Sequence, residues 1–463
     1  MKYRAVVLSA LLGLSLPLAA NAQESQPTQR ITLNQARAIA GQALQAGDAG
    51  TSRELALALV QANPNDADAL ALLAASELQL GRPRAAGQAA RLSFGKAQGN
   101  KPLRYQSARM AAAASSAQGR QGIAKFWLRR AANNTNDPRA TAQIAREFSV
   151  VDGRDRWERE FNFSVTPSSN LNGGARTDIL EIDGVAGTGS LSGDAQALGG
   201  WQAVISARLA YRFQPRERSS TKIQLNYYQS LNWLNDEAKE LAPDTEGSEF
   251  NYRIVGADLV HRFLPQGARG PYEARIGASQ RWYGGEELLH VFSASLSKTT
   301  PIGPKNLVYG RLSYDREIAD SDRARDADRY GLALSHTMAL NGGGSFTQGI
   351  TYSEFDSMRD NDDHVRAGVN LSYALGRQIG PVKMSFGLGY DWKYYETHVA
   401  GLSAVPGGRT DRTLSATVNL LFPDYQLFGF APVVTFRGSN TSSNVSRYDT
   451  RDLSVGLSVR SAF

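Results

Sequence analysis

From about Trp157 to the end of the chain, apolar and polar residues alternate at every second position. In residues 382–394, for example, apolar side chains occupy the even positions, and polar residues or glycine occupy the odd ones. A period of two predicts β-strands, because successive side chains point to opposite faces. The runs exceed the ~5–6 residues usual in soluble proteins and match the ~9–11 residues that cross a bilayer at a tilt. One apolar face and one polar face therefore predict a transmembrane barrel with a wet lumen.

We count about fourteen such runs, an even number that is typical of single-chain outer-membrane barrels. In the fourth run the alternation shifts by one position between Ile254 and Val255, which predicts a β-bulge there. The runs cover residues 157–166, 200–213, 219–231, 249–263, 271–284, 288–300, 305–318, 326–340, 344–358, 361–376, 380–396, 409–422, 427–440 and 446–463.

The connections between the predicted strands fall into two alternating sets. One set is polar and mostly longer, and the other is short and contains proline. Short periplasmic turns and long external loops are typical of outer-membrane barrels. With an even number of strands, the first strand begins and the last strand ends on the periplasmic side. We therefore expect the residues that precede the barrel to lie in the periplasm. The longer loops are 167–199, 232–248, 319–325 and 397–408, and the prolines of the short turns are Pro215, Pro265, Pro301 with Pro304, Pro381 and Pro423.

Residues 32–143 follow a different pattern, rich in Ala, Leu, Gln and Arg, with apolar positions at helical spacing. Gly47, Gly81 and Gly119 each end a helix-like segment, at steps close to the period of about 34 residues of tetratricopeptide (TPR) repeats. The clearest units are 70–98 and 107–133. Stacked helical hairpins leave a concave groove that usually holds a peptide or a partner protein, and the alternative is a passive spacer.

The chain opens with a basic stretch, an apolar run at residues 5–20 and the small-residue pattern Ala-Asn-Ala at 20–22. This predicts a secretory signal peptide cleaved before Gln23. The run is interrupted by Pro17 and is shorter than the ~20 residues of a spanning helix, which argues against a membrane anchor. The chain has no cysteine, so it has neither disulfides nor a lipid-acceptor residue.

These segments define the expected fold, which combines α-helices with a transmembrane β-barrel. We expect a signal peptide at 1–22, a periplasmic TPR-like helical domain at 23–150 and an antiparallel barrel of about 14 strands at 151–463. The expected location is the bacterial outer membrane, with the N-terminal domain in the periplasm.

The net charge of +7 and the pI of about 9.4 do not point to nucleic acid, because no basic run or known binding motif accompanies them. The mean hydropathy of −0.36 fits alternating strands. No two histidines have zinc-ligand spacing, and no phosphate-binding loop or nucleophile pair stands out. We therefore expect no enzyme activity, no catalytic or metal residues and no cofactor. The histidines are His261, His290, His336, His364 and His398.

The chain ends on Phe463, and its alternation partners at 453, 455, 457 and 459 are apolar. A terminal aromatic residue at the end of an amphipathic strand resembles the recognition signal of the barrel-assembly machinery. We therefore expect that machinery and outer-membrane lipid to be partners of the barrel, which should act as a monomer.

Short motifs mark both ends of the predicted barrel. Ser-Asn-Leu-Asn stands at 169–172, after the first run, and Phe-Gly-Phe-Ala-Pro stands at 428–432, followed by residues 440–444 and by Tyr448 with Asp449. With the signal peptide and the TPR-like segment, this layout resembles the surface lipoprotein assembly modifiers, the Slam proteins. The resemblance covers nearly the whole mature chain.

The resemblance implies an outer-membrane translocation factor that delivers surface lipoproteins or related secreted proteins, so a client protein is the expected partner. An export channel for polysaccharide and a general porin are the alternatives. A polar lumen is compatible with all three, and the sequence does not name the client. Candidate lumen residues are Arg208, Arg212, Arg275, Arg366 and Lys383.

Overall fold

The computed structural model describes residues 31–320, 325–425, 427 and 430–461, with only the backbone of Ser461. The predicted signal peptide, the terminal Phe463 and the first two residues of the 428–432 motif lie outside these ranges. Within them, seven helices precede a closed barrel of fourteen strands, as the alternating pattern predicts.

The helices form antiparallel hairpins in which α1 packs on α2, α3 on α4 and α5 on α6, and α7 follows as a final helix. Gly47, Gly81 and Gly119 end the first helix of each hairpin with φ of 86°, 70° and 74°. A left-handed backbone there favours glycine, because it has no Cβ to clash. The helices are α1 (Leu33–Gln45), α2 (Ala49–Ala62), α3 (Ala67–Gln79), α4 (Pro83–Lys96), α5 (Lys101–Ala117), α6 (Gln121–Ala132) and α7 (Pro138–Arg154).

Small side chains hold the hairpins together. Ala86, Ala90 and Ala124 are fully buried, which lets neighbouring helices approach closely. Glu77 interrupts the apolar face of α3 in the sequence, yet it is buried, and it pairs with Arg53 at 2.6 Å. The TPR-like prediction is confirmed. None of the helices in the described ranges has the length and apolar character needed to cross a membrane.

The last helix is longer than the sequence pattern suggests. The expected domain boundary at residue 150 falls within α7, which continues to Arg154, and the first strand begins at Trp157. Ile144, Phe148 and Val151 of α7 are buried in the same core as α4, α5 and α6. The helix therefore belongs by its packing to the helical domain.

The strands of the barrel are antiparallel, and each pairs with its neighbours in chain order, with β14 returning to β1. They are β1 (Trp157–Ser168), β2 (Gly200–Arg212), β3 (Ser219–Leu234), β4 (Tyr252–Phe263), β5 (Tyr272–Tyr283), β6 (Glu286–Ile302), β7 (Asn306–Ala319), β8 (Ala327–Ala339), β9 (Ser345–Ser357), β10 (His364–Ala374), β11 (Lys383–Tyr395), β12 (Arg409–Leu421), β13 (Phe430–Ser443) and β14 (Thr450–Ser461).

The prediction of a β-bulge in the fourth run is wrong. The register of β3 with β4 runs without a break through Tyr228 with Ile254 and Tyr227 with Val255. Ile254 lies on the half-buried inner face, whereas Val255 is exposed on the outer face. The register shift lies instead between β5 and β6, where Arg281 and Trp282 pair with Leu289 and Glu287 and leave Leu288 as the extra residue.

The two sets of connections lie at opposite ends of the barrel. We call the end where α7 joins β1 the helix end, and the opposite end the loop end. The helix end carries the short connections, although Pro301 lies within β6 and only Pro304 lies in the turn. The loop end carries the long segments 169–199, 235–251 and 396–408, and the second of these includes a short helix, α8 (Asp236–Leu241).

The difference between the helix end and the loop end predicts the orientation of the barrel in the membrane. We expect an epitope tag inserted between residues 240 and 245 to be bound by antibody on intact cells. A tag at 266–269, in the helix-end connection between β4 and β5, should be bound only after the outer membrane is permeabilised. Antibody labelling in the reverse pattern would contradict this orientation of the strands.

Candidate functional site

The Ser-Asn-Leu-Asn motif lies at the loop end beside the start of β14, which follows Asp449, whereas Phe430 and Pro432 of the 428–432 motif lie at the helix end. Ser168 Oγ donates to Asp452 Oδ1 at 2.7 Å. One residue further on, the amide of Leu453 donates to Ser169 Oγ at 2.9 Å, and the amide of Ser169 donates to the Leu453 carbonyl at 3.2 Å. These hydrogen bonds join the end of β1 to the start of β14.

Asn172 of the Ser-Asn-Leu-Asn motif closes the base of the long segment 169–199. Its Oδ1 accepts from the amides of Gly174 at 3.1 Å and Leu198 at 3.0 Å. Its Nδ2 donates to the carbonyls of Asp194 at 2.8 Å and Gln196 at 2.7 Å. One asparagine amide thus joins both ends of the segment, because it has two donors and an acceptor with two lone pairs.

Asn444, at the end of the second motif, ties three loops together. Its Oδ1 accepts from the amide of Thr410, and its Nδ2 donates to the Gly408 carbonyl, both at 2.8 Å. Its own carbonyl accepts from the amide of Asp183 at 3.0 Å. The connection between β13 and β14 is therefore held to the segments 169–199 and 396–408.

A buried cation supports the same loops. The guanidinium of Arg409 lies between the rings of Tyr395 and Tyr448, at 3.8 Å and 3.5 Å from their centroids, and it donates to Asp411. Its Nη1 lies 3.3 Å from His398 Nε2. Burial, and then the charge of Arg409, lower the pKa of His398, so its ring is neutral near pH 7. We call the junction between β1 and β14 the seam, and its loop end is held together by hydrogen bonds.

The helix end of the same seam is different. Within the described residues, β14 pairs with β13 from Phe430 to Thr441, and β1 pairs with β2 along its entire length. Between β1 and β14, no pairing joins Asn162 and Phe163 to the Arg460 and Val459 that the register would place opposite them. The paired residues are Ser164 with Ser458, Val165 with Leu457 and Ser168 with Ser454.

A cavity of about 1300 Å³ at the helix end of the lumen borders the unpaired part of the seam and also the ends of β10, β11, β12 and β13. Polar side chains of the inner face line it, among them Asn162 and Ser458. Phe161 and Val459 also line it, and both are exposed on the outer, apolar face. The lining of the cavity therefore includes outward-facing as well as inward-facing residues of the two strands at the seam. Arg129 of α6 lines the same cavity, and its guanidinium lies 5.0 Å from the ring of Phe430 in β13.

The helical domain and the barrel meet at a charged joint, which we define as Lys125, Asp152, Asp155 and Arg159. Lys125 of α6 pairs with Asp152 at 2.8 Å and with Asp155 at 2.9 Å, and Arg159 of β1 pairs with Asp155 at 3.1 Å. Burial alone would raise the pKa of Asp155. Hydrogen bonds from Lys125 and from the Trp157 amide, together with the charges of Lys125 and Arg159, lower the pKa below its ordinary value.

A second cavity, of about 850 Å³, separates α6 and α7 from the barrel end. It shares Arg129, Arg159 and Glu160 with the cavity at the seam. The two spaces therefore adjoin, and the surface of the helical domain leads to the unpaired part of the seam.

The helical domain has a groove of its own. It has a volume of about 560 Å³ and lies along α1, α3 and α5, the first helices of the three hairpins. Apolar residues such as Leu44, Leu72 and Met110 line it, with Arg37 and Arg109 among them. Arg109 also pairs with Glu147 of α7. A concave surface with apolar and charged groups is what a peptide-binding repeat domain presents.

The charged residues predicted for the lumen are distributed around the wall and are mostly paired there. Arg208 pairs with Glu160 at 2.8 Å, and Arg212 donates to the Asp155 carbonyl at 2.7 Å. Arg366 pairs with Asp391 at 2.8 Å. Arg275 pairs with Asp258 and Glu273 at 3.3 Å, and Lys383 lines the cavity at the seam.

Sequence spacing missed one cluster of possible metal ligands. The ligand atoms of Glu287, His290 and Asp320 lie within 4.8 Å of one another. Asp320 follows the neighbouring strand β7, so only the pairing of β6 with β7 brings it to the other two. All three side chains are exposed, and we assign no role to them.

The fold and the seam define the class of protein: an outer-membrane-type β-barrel closed by one chain, with an N-terminal TPR-like helical domain. The sequence model of the family described as "Surface lipoprotein assembly modifier" matches residues 272–463, from the start of β5 to the end of the chain. This match confirms the resemblance to that family. The motif at 169–172 lies outside the matched part.

Comparison with solved structures gives similarities to porins and TPR domains. OprB from Pseudomonas putida is 10% identical over 68% of this chain and 96% of its own, with a TM-score of 0.40. A BenF-like porin from Pseudomonas fluorescens Pf-5 is 10% identical over 66% and 99%, with a TM-score of 0.36. The first TPR domain of human RPAP3 is 15% identical over 26% and 92%, with a TM-score of 0.24. A comparison with curated proteins finds no match.

The charged joint predicts a pH-dependent stability of the helical domain. We expect Asp155→Asn to lower the free energy of unfolding of that domain by about 1–3 kcal/mol at pH 7, because it leaves Lys125 without its buried partner. A carboxylate with a lowered pKa stabilises the fold at higher pH and loses its effect as the pH falls through that pKa. The difference between the variant and the parent should therefore be complete above the ordinary aspartate pKa of about 4 and should shrink as the pH falls below that value, through the lowered pKa.

The measurement is urea unfolding of the full chain in detergent, monitored by the helical signal in circular dichroism. Asp152→Asn is the matched control, because its side chain is 59% exposed and pairs with the same lysine. That exposed pair should contribute less than about 1 kcal/mol. Equal effects of the two variants, or a difference that persists at low pH, would rule out this account of the joint.

Proposed function

We propose that this chain is an outer-membrane translocation factor that delivers surface lipoproteins, or related secreted proteins, across the outer membrane. The observation that carries the proposal is the family match over residues 272–463, since the description of that family is "Surface lipoprotein assembly modifier". In this proposal the residues from 23 to 150 and the remainder of α7 capture the client, and the barrel is the conduit.

Three features of the molecule support this division of labour. The groove along α1, α3 and α5 has the size and mixed chemistry of a peptide site. The cavity between α6, α7 and the barrel adjoins the cavity at the seam, which gives the client a continuous path. The joint between Lys125 and Asp155 keeps the helical domain at the helix end of the barrel.

The location of the parts follows from the same proposal. The helical domain lies in the periplasm, where a client that has crossed the inner membrane is available, and the loop end faces the cell exterior. One chain closes the barrel, which supports a monomer. The barrel-assembly machinery would insert it, as it does other barrels of this class.

The experiment that separates the function classes is deletion of the whole chain, with three transport activities measured in the same cultures. The proteins exposed on intact cells are labelled with membrane-impermeant biotin and quantified. Extracellular polysaccharide and the uptake of small solutes are measured in the same cultures. The strain is complemented with the parent chain as the control.

We expect one or a few surface proteins to be lost and restored by complementation, with polysaccharide and solute uptake unchanged. Loss of polysaccharide with an intact surface proteome would replace the proposal with a polysaccharide export channel. Reduced uptake of solutes, with nothing else changed, would indicate a general porin.

A further inference from the structure

At the helix end of the seam, the described residues of β1 and β14 do not pair with each other across the barrel wall. Residues 161–163 of β1 pair with β2, and residues 459–461 of β14 pair with β13, but these two stretches, which the register places opposite each other, are not paired with one another in the part of the chain that the structure describes. An unpaired strand edge is a ready template for a further strand. In a membrane it is also costly, because lipid offers no hydrogen bonds to the backbone.

The opening is confined to one end, which makes it directional. At the loop end, Ser168, Ser169, Asp452 and Leu453 join the two strands by hydrogen bonds between 2.7 and 3.2 Å. At the helix end, Phe161 and Val459, whose side chains are exposed on the outer face, line the cavity of about 1300 Å³. The seam is thus fixed at one end and free at the other, beside the helical domain.

We propose that the unpaired half of the seam is a lateral entry site for the client, which adds an extended segment of its own chain to the free edges of β1 and β14. The proposal rests on the proposed function in protein translocation and names the place where the client enters. The occupant is a polypeptide in extended conformation, since only a backbone supplies both donors and acceptors at strand spacing.

The residues around the opening fit such an occupant. The client strand would place alternate side chains toward the lumen, where Asn162, Ser458 and Arg460 lie, and toward the outer face beside Phe161 and Val459. A lipid anchor on the client could then stay on the outer side of the wall while polar residues enter the lumen. Arg129 of α6 borders the opening, so a client held by the helical domain is presented to it directly.

A disulfide across the seam tests this proposal, and the natural chain has no cysteine to interfere. The pair Asn162→Cys with Arg460→Cys continues the register of the existing rungs and would close the opening. The pair Ser168→Cys with Ser454→Cys locks a rung that is already paired. Opposite positions in an antiparallel pair are about 4.5–5.5 Å apart between Cα atoms, a separation that a disulfide spans.

Both locked chains are expressed in cells that lack the parent chain, and surface proteins are labelled with impermeant biotin before and after reduction. A short bis-maleimide replaces the disulfide if the thiols do not oxidise. Heat-modifiable electrophoretic mobility shows that each barrel is folded, and the two single-cysteine variants control for the loss of Arg460.

We expect the lock at 162 and 460 to reduce surface display to the level of the strain without the chain, in proportion to the cross-linked fraction, and reduction to restore it. The lock at 168 and 454 should leave display unchanged. Equal display from the two locked chains would overturn lateral entry while leaving the proposed function in place. If deletion of the whole chain alters no surface protein, the proposed function itself fails.

Discussion

Removing residues 32–154 behind an intact signal peptide is expected to leave a folded barrel in the outer membrane and to abolish surface display of the client proteins. The barrel is closed by its own strands, and the helical domain contacts it through Asp155 with Arg159 and through Arg129 with Phe430. Display should fall to the level of the strain without the chain, because the client loses its binding groove and its presentation to the seam.

The structure determines residue 154, the last residue of α7, as the C-terminal boundary of this deletion. A deletion ending at residue 143 would leave the half of α7 that carries Phe148 and Val151, whose apolar side chains would then be exposed. Heat-modifiable electrophoretic mobility and protease resistance show whether the truncated barrel is folded. If this folded barrel displays client proteins as well as the parent does, the helical domain has no role in capture.

Ala86→Glu is the point substitution with the largest expected effect on the helical domain. Ala86 is fully buried in α4, between α3 and α5. A carboxylate there would lie without a partner in a core of small side chains, at a cost of about 3–5 kcal/mol or by forcing the hairpins apart. We expect the helical domain to unfold at a much lower urea concentration and display to fall, while the barrel stays folded.

Ala38→Glu is the matched control, since Ala38 is exposed on α1. The same change on an exposed helical surface should shift stability by no more than about 0.5 kcal/mol. A comparable loss of display from both variants would show that the effect comes from added charge, and the packing argument would then be wrong.

Much of the architecture could be predicted because alternation is a direct consequence of strand geometry. Each strand of a lipid-facing barrel carries its own pattern of outward apolar and inward polar residues, so all fourteen runs contain a strand. The helical hairpins could also be predicted from the sequence. The glycines at 47, 81 and 119, which adopt positive φ, mark the end of the first helix in each repeat.

The bulge was misplaced because apolar residues also occur on the inner face. Ile254 faces inward opposite Tyr228, whose ring contacts Tyr252, so its apolar character imitates a shift of register. The actual irregularity, at Arg281 and Trp282, changes hydrogen-bond pairing while the local sequence pattern hardly changes. Pairing between strands is not encoded in the alternation of either strand alone.

The candidate site depended on contacts between distant segments, which one sequence does not show. The motifs at 169–172 and 440–449 were visible, yet the bonds that join Ser169 to the start of β14 follow from the closure of β1 on β14. The partial pairing of that seam, and the contact of Lys125 with Asp155, likewise come from three-dimensional packing of residues with ordinary local patterns.

The measurement that tests translocation most directly is the ratio of surface-exposed to total protein for those proteins that depend on this chain. It is taken in the deletion strain and in the complemented strain, by surface labelling of intact cells and by quantification of whole-cell lysates. The account predicts that the surface fraction collapses in the deletion strain while the total amount stays nearly constant, with the missing protein retained on the periplasmic side. Unchanged surface fractions, or proteins that disappear equally from the surface and from the whole cell, would contradict it.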